Sequence, residues 1–150
     1  MTMQDLAEKG LVLLGCGKMG SAMLQGWLKG GLPPSSVWVL DPNPSEWLRG
    51  TGVHLNTDLP GQPGIVLVAV KPQMMGAALP SLAAMGNGAT LFLSVAAGTP
   101  IAAFEATLGD KTPIIRAMPN TPAAVARGIT AIIGNAHASA AHLDLAETLL

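Results

Sequence analysis

Tyrosine is absent from this chain of 150 residues; phenylalanine occurs twice, tryptophan three times and cysteine once. A single cysteine excludes an internal disulfide framework and fits a reducing, cytoplasmic compartment. Charged residues make up only 11% of the chain, and the formal net charge is -1. Such a balance offers no basic surface for nucleic acid or for anionic membrane lipid. No apolar run approaches the ~20 residues of a membrane span. The opening MTMQDLAEKG carries mixed charge, and the apolar run behind it is too short for a signal peptide. The three histidines, His54, His137 and His142, fit no metal-ligand spacing and read as surface residues, so no metal is expected.

What the chain does have is apolar residues, at 49%, together with 18 glycines and 12 prolines. A chain of this size buries roughly 70% of its unfolded surface, which suffices for one core. Strand and helix signals alternate along it without internal repeats. Extended runs are expected at 37–40, 53–55, 65–70, 90–95, 114–118 and 129–133. Helical runs are expected from the glycine turn to about Gly30, at 46–49, at 74–85 with an interruption at Pro80, at 101–108 and at 138–150. The run IVLVAV is continuously apolar, as expected of a central strand buried on both faces, and TLFLSV reads as another buried strand. Strands separated by helices imply right-handed crossovers. The expected fold class is therefore α/β, a Rossmann-type, doubly wound, mainly parallel sheet with helices on both faces.

The most informative segment is LVLLGCGKMG at 11–20, an apolar strand that runs into three glycines and then a helix. In a dinucleotide-binding turn, Gly15 permits the tight turn, Gly17 lets backbone approach a pyrophosphate, and Gly20 lets helix and strand pack closely. The helix behind it aims its N–H groups and dipole at the phosphates. Lys18, in the first helical turn, opposes that dipole, as a phosphate contact or as a solvated surface lysine. Cys16 and Met19 belong to the same turn. With no base near it in sequence, Cys16 is a small filler rather than a nucleophile.

Ligands of doubly wound sheets bind beyond the carboxyl ends of the strands, where strand order reverses. The segments there are GCGKMG, DPNP, VKPQ, AAGT and MPNTP, all rich in residues that let backbone approach a ligand. Asp41, with Pro42 and Asn43 in its turn, lies about 20 residues after the last glycine, where an acid accepts hydrogen bonds from the adenosine ribose. That favours NADH; the alternative is an aspartate that simply initiates the turn. NADPH would call for cationic or hydroxyl groups around its 2′-phosphate, and only Lys18 and Arg49 are nearby. Arg116 is expected to pair with Asp110 or Glu105.

The stretches GCGKMGSAM, VAVKPQ, SVAAGTPI and RAMPNTPAAVARGITAI together resemble the pyrroline-5-carboxylate reductase family, in its order and at about its spacing. The family resemblance implies a Rossmann domain at 1–136. It implies a helix at 137–150 leading toward an all-helical dimerisation domain that is absent from this chain. That helix is expected to be exposed without its partner. The implied activity is NAD(P)H-dependent reduction of 1-pyrroline-5-carboxylate to L-proline, the last step of proline biosynthesis, by a cytoplasmic homo-oligomer. This chain would supply the cofactor half and by itself catalyse little.

The resemblance also implies that Asn56 contacts the nucleotide, against a purely local loop role. It places the backbone of Ala69, Val70, Lys71 and Pro72 beneath the nicotinamide ribose, and Ala96 and Ala97 beside the nicotinamide. Asn120 is assigned to the carboxamide or, with Thr121, to the substrate; the alternative for both is a turn between two prolines. No catalytic residue is assigned, since the family delivers its proton through the helical domain. Two other functions stay open: a dinucleotide-binding module without chemistry, and a reductase of another imine or of a β-hydroxy acid.

Overall fold

A computed structural model describes residues 3–15, 17–86, 88, 90–96, 99–119 and 130–149. In chain order the elements are α1 (Met3–Lys9), β1 (Leu11–Leu14), α2 (Lys18–Lys29), β2 (Val37–Leu40), α3 (Glu46–Arg49), β3 (His54–Leu55), β4 (Ile65–Val68) and α4 (Pro72–Ala78). A 3-10 helix, Leu79–Met85, prolongs α4. Then come β5 (Leu91–Ser94), α5 (Ile101–Leu108), β6 (Ile114–Pro119), β7 (Thr130–Gly134) and α6 (Ala140–Leu149). Among the described residues the strands form one sheet of seven in the order β3-β2-β1-β4-β5-β6-β7. All neighbours are parallel except β6 and β7, which are antiparallel. The chain winds outward from β1 through β2 and β3, then returns to the other side of β1 with β4. The strand order therefore reverses between β1 and β4.

Side-chain alternation sorts each central strand between two apolar layers. Leu11, Leu13, Ile65, Leu67, Leu91 and Leu93 point into one layer, with Leu6 of α1, Leu24 and Trp27 of α2, Leu48 of α3 and Leu145 of α6. Val12, Leu14, Val66, Val68 and Phe92 point into the other, with Met75 of α4, Leu82 of the 3-10 helix and Phe104 of α5. All four residues of β1, β4 and β5 are buried. Each such side chain contributes about 1.5–3 kcal/mol relative to leaving it in water. The doubly wound α/β architecture is thus the one expected from the continuous apolar runs.

Several local expectations change. MTMQDLAEKG holds the helix α1, anchored by Leu6 at 0% exposure, with acidic Asp5 in its first turn and basic Lys9 in its last. The helix expected at 74–85 is α4 followed by 3-10 turns. Pro72 occupies its first turn and Pro80 begins the tighter winding, where a missing N–H is tolerated. The strand expected at 65–70 ends at Val68. Ala69 and Val70 continue past it, with the Ala69 N–H donating to Leu14 O at 2.8 Å.

The C-terminal helix is not exposed: α6 buries Leu145, Ala146 and Leu149 in the first layer, and Trp27 Nε1 donates to Leu149 O at 3.0 Å. His54 is not a free surface residue either. It is half-buried, its ring stacks on Trp38 with centroids 4.5 Å apart, and its Nε2 lies 2.9 Å from Ser35 O. The two residues are register partners in β2 and β3, so their rings fall on one face. Finally, Arg116 does not pair with Glu105 or Asp110: its Nε is buried without a hydrogen-bond partner, and Glu105 Oε2 accepts from Asn135 Nδ2 at 3.3 Å.

Candidate functional site

The reversal of strand order leaves a crevice above the carboxyl ends of β1 and β4, and a cavity of about 490 Å3 occupies it. Its floor is Leu14, Gly15 and Gly17 at the end of β1. One wall is Leu40, Asp41, Pro42 and Asn43 beyond β2, with Asn56 beyond β3. The opposite wall is Ala69, Val70 and Lys71 beyond β4, then Met74, Ala77, Ala78 and Ser81.

The glycine turn has the geometry its spacing requires. Gly15 has φ +85, which a side-chain-bearing residue adopts only with strain, and a Cβ there would lie 2.7 Å from Val70 Cγ1. Gly17 precedes α2 in extended conformation, with no side-chain cap, and a Cβ on it would meet nothing within 4 Å. Open space at that point is what a close-lying phosphate needs. A Cβ on Gly20 would lie 2.7 Å from Gly15 O, so the helix rests directly on the turn. The first N–H groups of α2 lack intrahelical acceptors and face the cavity end of the helix. The backbones of Lys18 and Met19 form that first turn, whereas Cys16 lies outside the described residues.

The β2 wall is held from three directions. Gly15 N–H donates to Leu40 O at 2.8 Å, which ties the end of β2 to the glycine turn. Asp41 Oδ1 accepts from Asn43 N–H at 2.8 Å, closing an Asx turn over Pro42. Asn56, the only non-glycine residue with positive φ among those described (φ 52), turns its side chain back onto Asp41. Its Oδ1 accepts from Asp41 N–H at 2.9 Å, and its Nδ2 donates to Asp41 O at 2.8 Å. The asparagine reached by resemblance to a nucleotide contact therefore bonds to the backbone beneath Asp41.

On the other wall, Lys71 is exposed and precedes α4 in extended conformation, with Pro72 as the first helical residue. Met74, Ala77, Ala78 and Ser81 fall at intervals of three and four, one face of a helix. That face, with small residues at its centre, is the sequence signal for this wall. Ala96 does not line the cavity: it is 6% exposed in the second apolar layer, and its N–H donates to Ser94 Oγ at 3.2 Å. Its side chain cannot face a ligand while packed there, which leaves it backbone contacts alone. Ala97, Asn120 and Thr121 lie outside the described residues. Among the described residues, no group of three or more His, Cys, Asp or Glu side chains comes together as a metal site. Nor is any helix among them long and apolar enough to cross a membrane.

Such a cavity can take a long ligand across the crevice, with an anionic group at α2 and a hydroxyl-bearing group at Asp41. The comparisons agree with this geometry. A family model described as NADP oxidoreductase, coenzyme F420-dependent, matches residues 10–98. A pyrroline-5-carboxylate reductase of Pseudomonas aeruginosa is 33% identical over 146 residues, covering 93% of this chain and 54% of the relative. The Escherichia coli enzyme of the same name is 35% identical over 139 residues, covering 86% and 51%. The solved structure of a pyrroline-5-carboxylate reductase from Coxiella burnetii superposes with a TM-score of 0.85 at 26% identity, covering 94% of this chain and 55% of that one. The chain thus spans about half the length of the curated relatives it matches. It is similar to the N-terminal half of pyrroline-5-carboxylate reductases, and, with the model matching more than half of its residues, it belongs to the NADP oxidoreductase, coenzyme F420-dependent family.

Proposed function

We propose that this chain is the cofactor half of a cytoplasmic reductase that converts 1-pyrroline-5-carboxylate to L-proline. The observation that carries the proposal is the glycine cradle at the strand-order reversal, in a chain whose relatives bear the name of that enzyme. A nicotinamide dinucleotide fits the residues present: Gly17 leaves open space where the pyrophosphate lies, and Gly15 and Gly20 could not carry a Cβ. When bound, it supplies the hydride that adds to the cyclic C=N carbon.

The chain's own residues bind and orient. The N–H groups of α2, helped by Lys18, hold the pyrophosphate. Asp41 accepts hydrogen bonds from the adenosine ribose hydroxyls, and its negative charge repels a 2′-phosphate. We therefore infer a preference for NADH over NADPH. The backbone of Ala69, Val70, Lys71 and Pro72 supports the nicotinamide ribose, and Ala97, with only the backbone of Ala96, is assigned to the ring. Asn120 and Thr121 are assigned to the carboxamide and substrate. No group of this chain is assigned to proton delivery. The remaining contacts to the substrate belong to a helical dimerisation domain beyond α6, through which the complete enzyme is a homo-oligomer.

Calorimetric titration of the chain with NADH and NADPH tests the cofactor half; micromolar binding is expected, tighter for NADH. The activity is tested on the complete enzyme by following consumption of reduced cofactor with and without 1-pyrroline-5-carboxylate. If consumption does not depend on that substrate, the reading fails.

A further inference from the structure

At Asn56, just beyond β3, the backbone makes one more bond to β2 and the side chain adds two. Trp38 and Val39 of β2 are matched to His54 and Leu55 of β3, and Asn56 N–H still donates to Val39 O at 2.8 Å. At Asn56 the chain turns away with φ 52, a conformation that asparagine tolerates better than most residues. Its carboxamide then accepts from Asp41 N–H and donates to Asp41 O, engaging both backbone polar groups of that residue with one side chain. Asn56 lies just past the end of β3, and Asp41 just past the end of β2. Its backbone is therefore oriented by a residue 15 positions away, and its carboxylate by the Asx turn to Asn43.

We propose that Asn56 is a positioning residue that sets dinucleotide selectivity through Asp41, without itself providing the decisive contact to the ligand. This rests on the dinucleotide reading of the cavity. A carboxylate discriminates a ribose diol from a 2′-phosphate only while its direction is fixed. Releasing its backbone lets it rotate away from the diol and withdraws the repulsion of the phosphate. Selectivity then falls even though Asp41 is still present.

The test is calorimetric titration of the 150-residue chain and its variants with NADH and with NADPH. N56G keeps the left-handed turn and deletes the clamp. It is expected to weaken NADH about tenfold, the weight of one charge-assisted hydrogen bond, and to change NADPH by less than about twofold. N56Q retains a carboxamide but sets it one methylene too far, and is expected to compress the NADH/NADPH ratio in the same direction. In a D41S background, N56G is expected to change neither affinity, because the residue through which it acts is gone. A thermal midpoint measured on each variant separates loss of selectivity from loss of fold.

Equal weakening of both dinucleotides in N56G and N56Q overturns the proposal, as does an N56G effect that persists on D41S. A parent chain that binds NADPH as tightly as NADH overturns the selectivity assigned to Asp41 and this inference with it. A parent chain that binds neither overturns the dinucleotide reading itself.

Discussion

Two asparagines close the two opposite edges of the sheet with the same chemistry and to different ends. Asn56, at the carboxyl edge, is exposed and holds the backbone of one residue, Asp41. Asn135, past β7 at the amino edge of β6, is half-buried and holds three segments together. Its Oδ1 accepts from Ile114 N–H and His137 N–H at 3.1 Å each, and its Nδ2 donates to Thr112 O at 2.7 Å and to Glu105 Oε2 at 3.3 Å. Its own N–H donates to Ile114 O at 2.9 Å. At the amino edge every polar group of the side chain is engaged in joining β6, α5 and the turn before α6, so that edge is a knot. The carboxyl edge is built from glycines, small residues and a single clamp, so it leaves a cavity. Stability and binding are thus expected to separate by edge.

The largest effect in stability is expected at the knot. Asn135→Ala should lower the unfolding free energy by about 2–4 kcal/mol, because the buried Ile114 N–H and Thr112 O lose their partner at once. Denaturant titration reads the loss, and dinucleotide affinity, corrected for folded fraction, should stay within about twofold of the parent. A large loss of affinity in the folded fraction would erase the distinction between edges. Next comes Gly20→Ala, whose added Cβ must displace Gly15 O. It should cost about 1–3 kcal/mol by overpacking, and dinucleotide affinity should fall by about tenfold or more as the cradle opens. Retained affinity there would remove the glycine turn from the site.

Trp27→Phe keeps the ring in the core and deletes the bond to Leu149 O. It should cost about 1 kcal/mol, with binding unchanged, as expected of a residue far from the cavity. The smallest effect is one of pH. Ser139 and His142 cap α6 reciprocally: His142 N–H donates to Ser139 Oγ at 3.2 Å, and Ser139 N–H donates to His142 Nδ1 at 3.0 Å. Burial holds the imidazole below its ordinary 6.5. The folded state therefore favours the neutral ring, which alone can accept. That stabilisation is present above pH 6.5 and is lost as pH falls below it toward the lowered folded value. His142→Gln keeps a capping side chain without a titrating group. Denaturation midpoints followed between mildly alkaline and mildly acidic pH should fall less for it than for the parent.

The two edges were also unequally legible. The glycine turn could be read from the sequence because its function resides in residue identity at fixed spacing: Gly15, Gly17 and Gly20 admit few alternatives. Asp41 was legible for the same reason, as an acid at the end of an apolar strand. The central strands announced themselves as apolar runs. What escaped depends on register between distant segments. The clamp of Asn56 on Asp41 exists only because β3 pairs with β2 at Trp38–His54 and Val39–Leu55. The same pairing stacks His54 on Trp38 and removes it from the surface class its polarity suggested. Charge signs suggested that Glu105 would meet Arg116, but Asn135 reaches Glu105 first. The helix α1 escaped because a polar segment of about two turns reveals its anchor, Leu6, only once the layer it fills is known.

The strand order has a consequence for the birth of the chain at the ribosome. β1 lies inside the sheet, and its neighbours β2 and β4 are complete by Val68. The glycine turn, Asp41, Asn56 and the turn at Lys71 all precede β5 in the chain. Domains are assembled N-terminus first, at about 5–20 residues per second. Every residue lining the cavity has thus emerged before β5, β6 and β7, but the layer beneath it closes only when Phe92 and Phe104 arrive to pack on Leu14 and Val68.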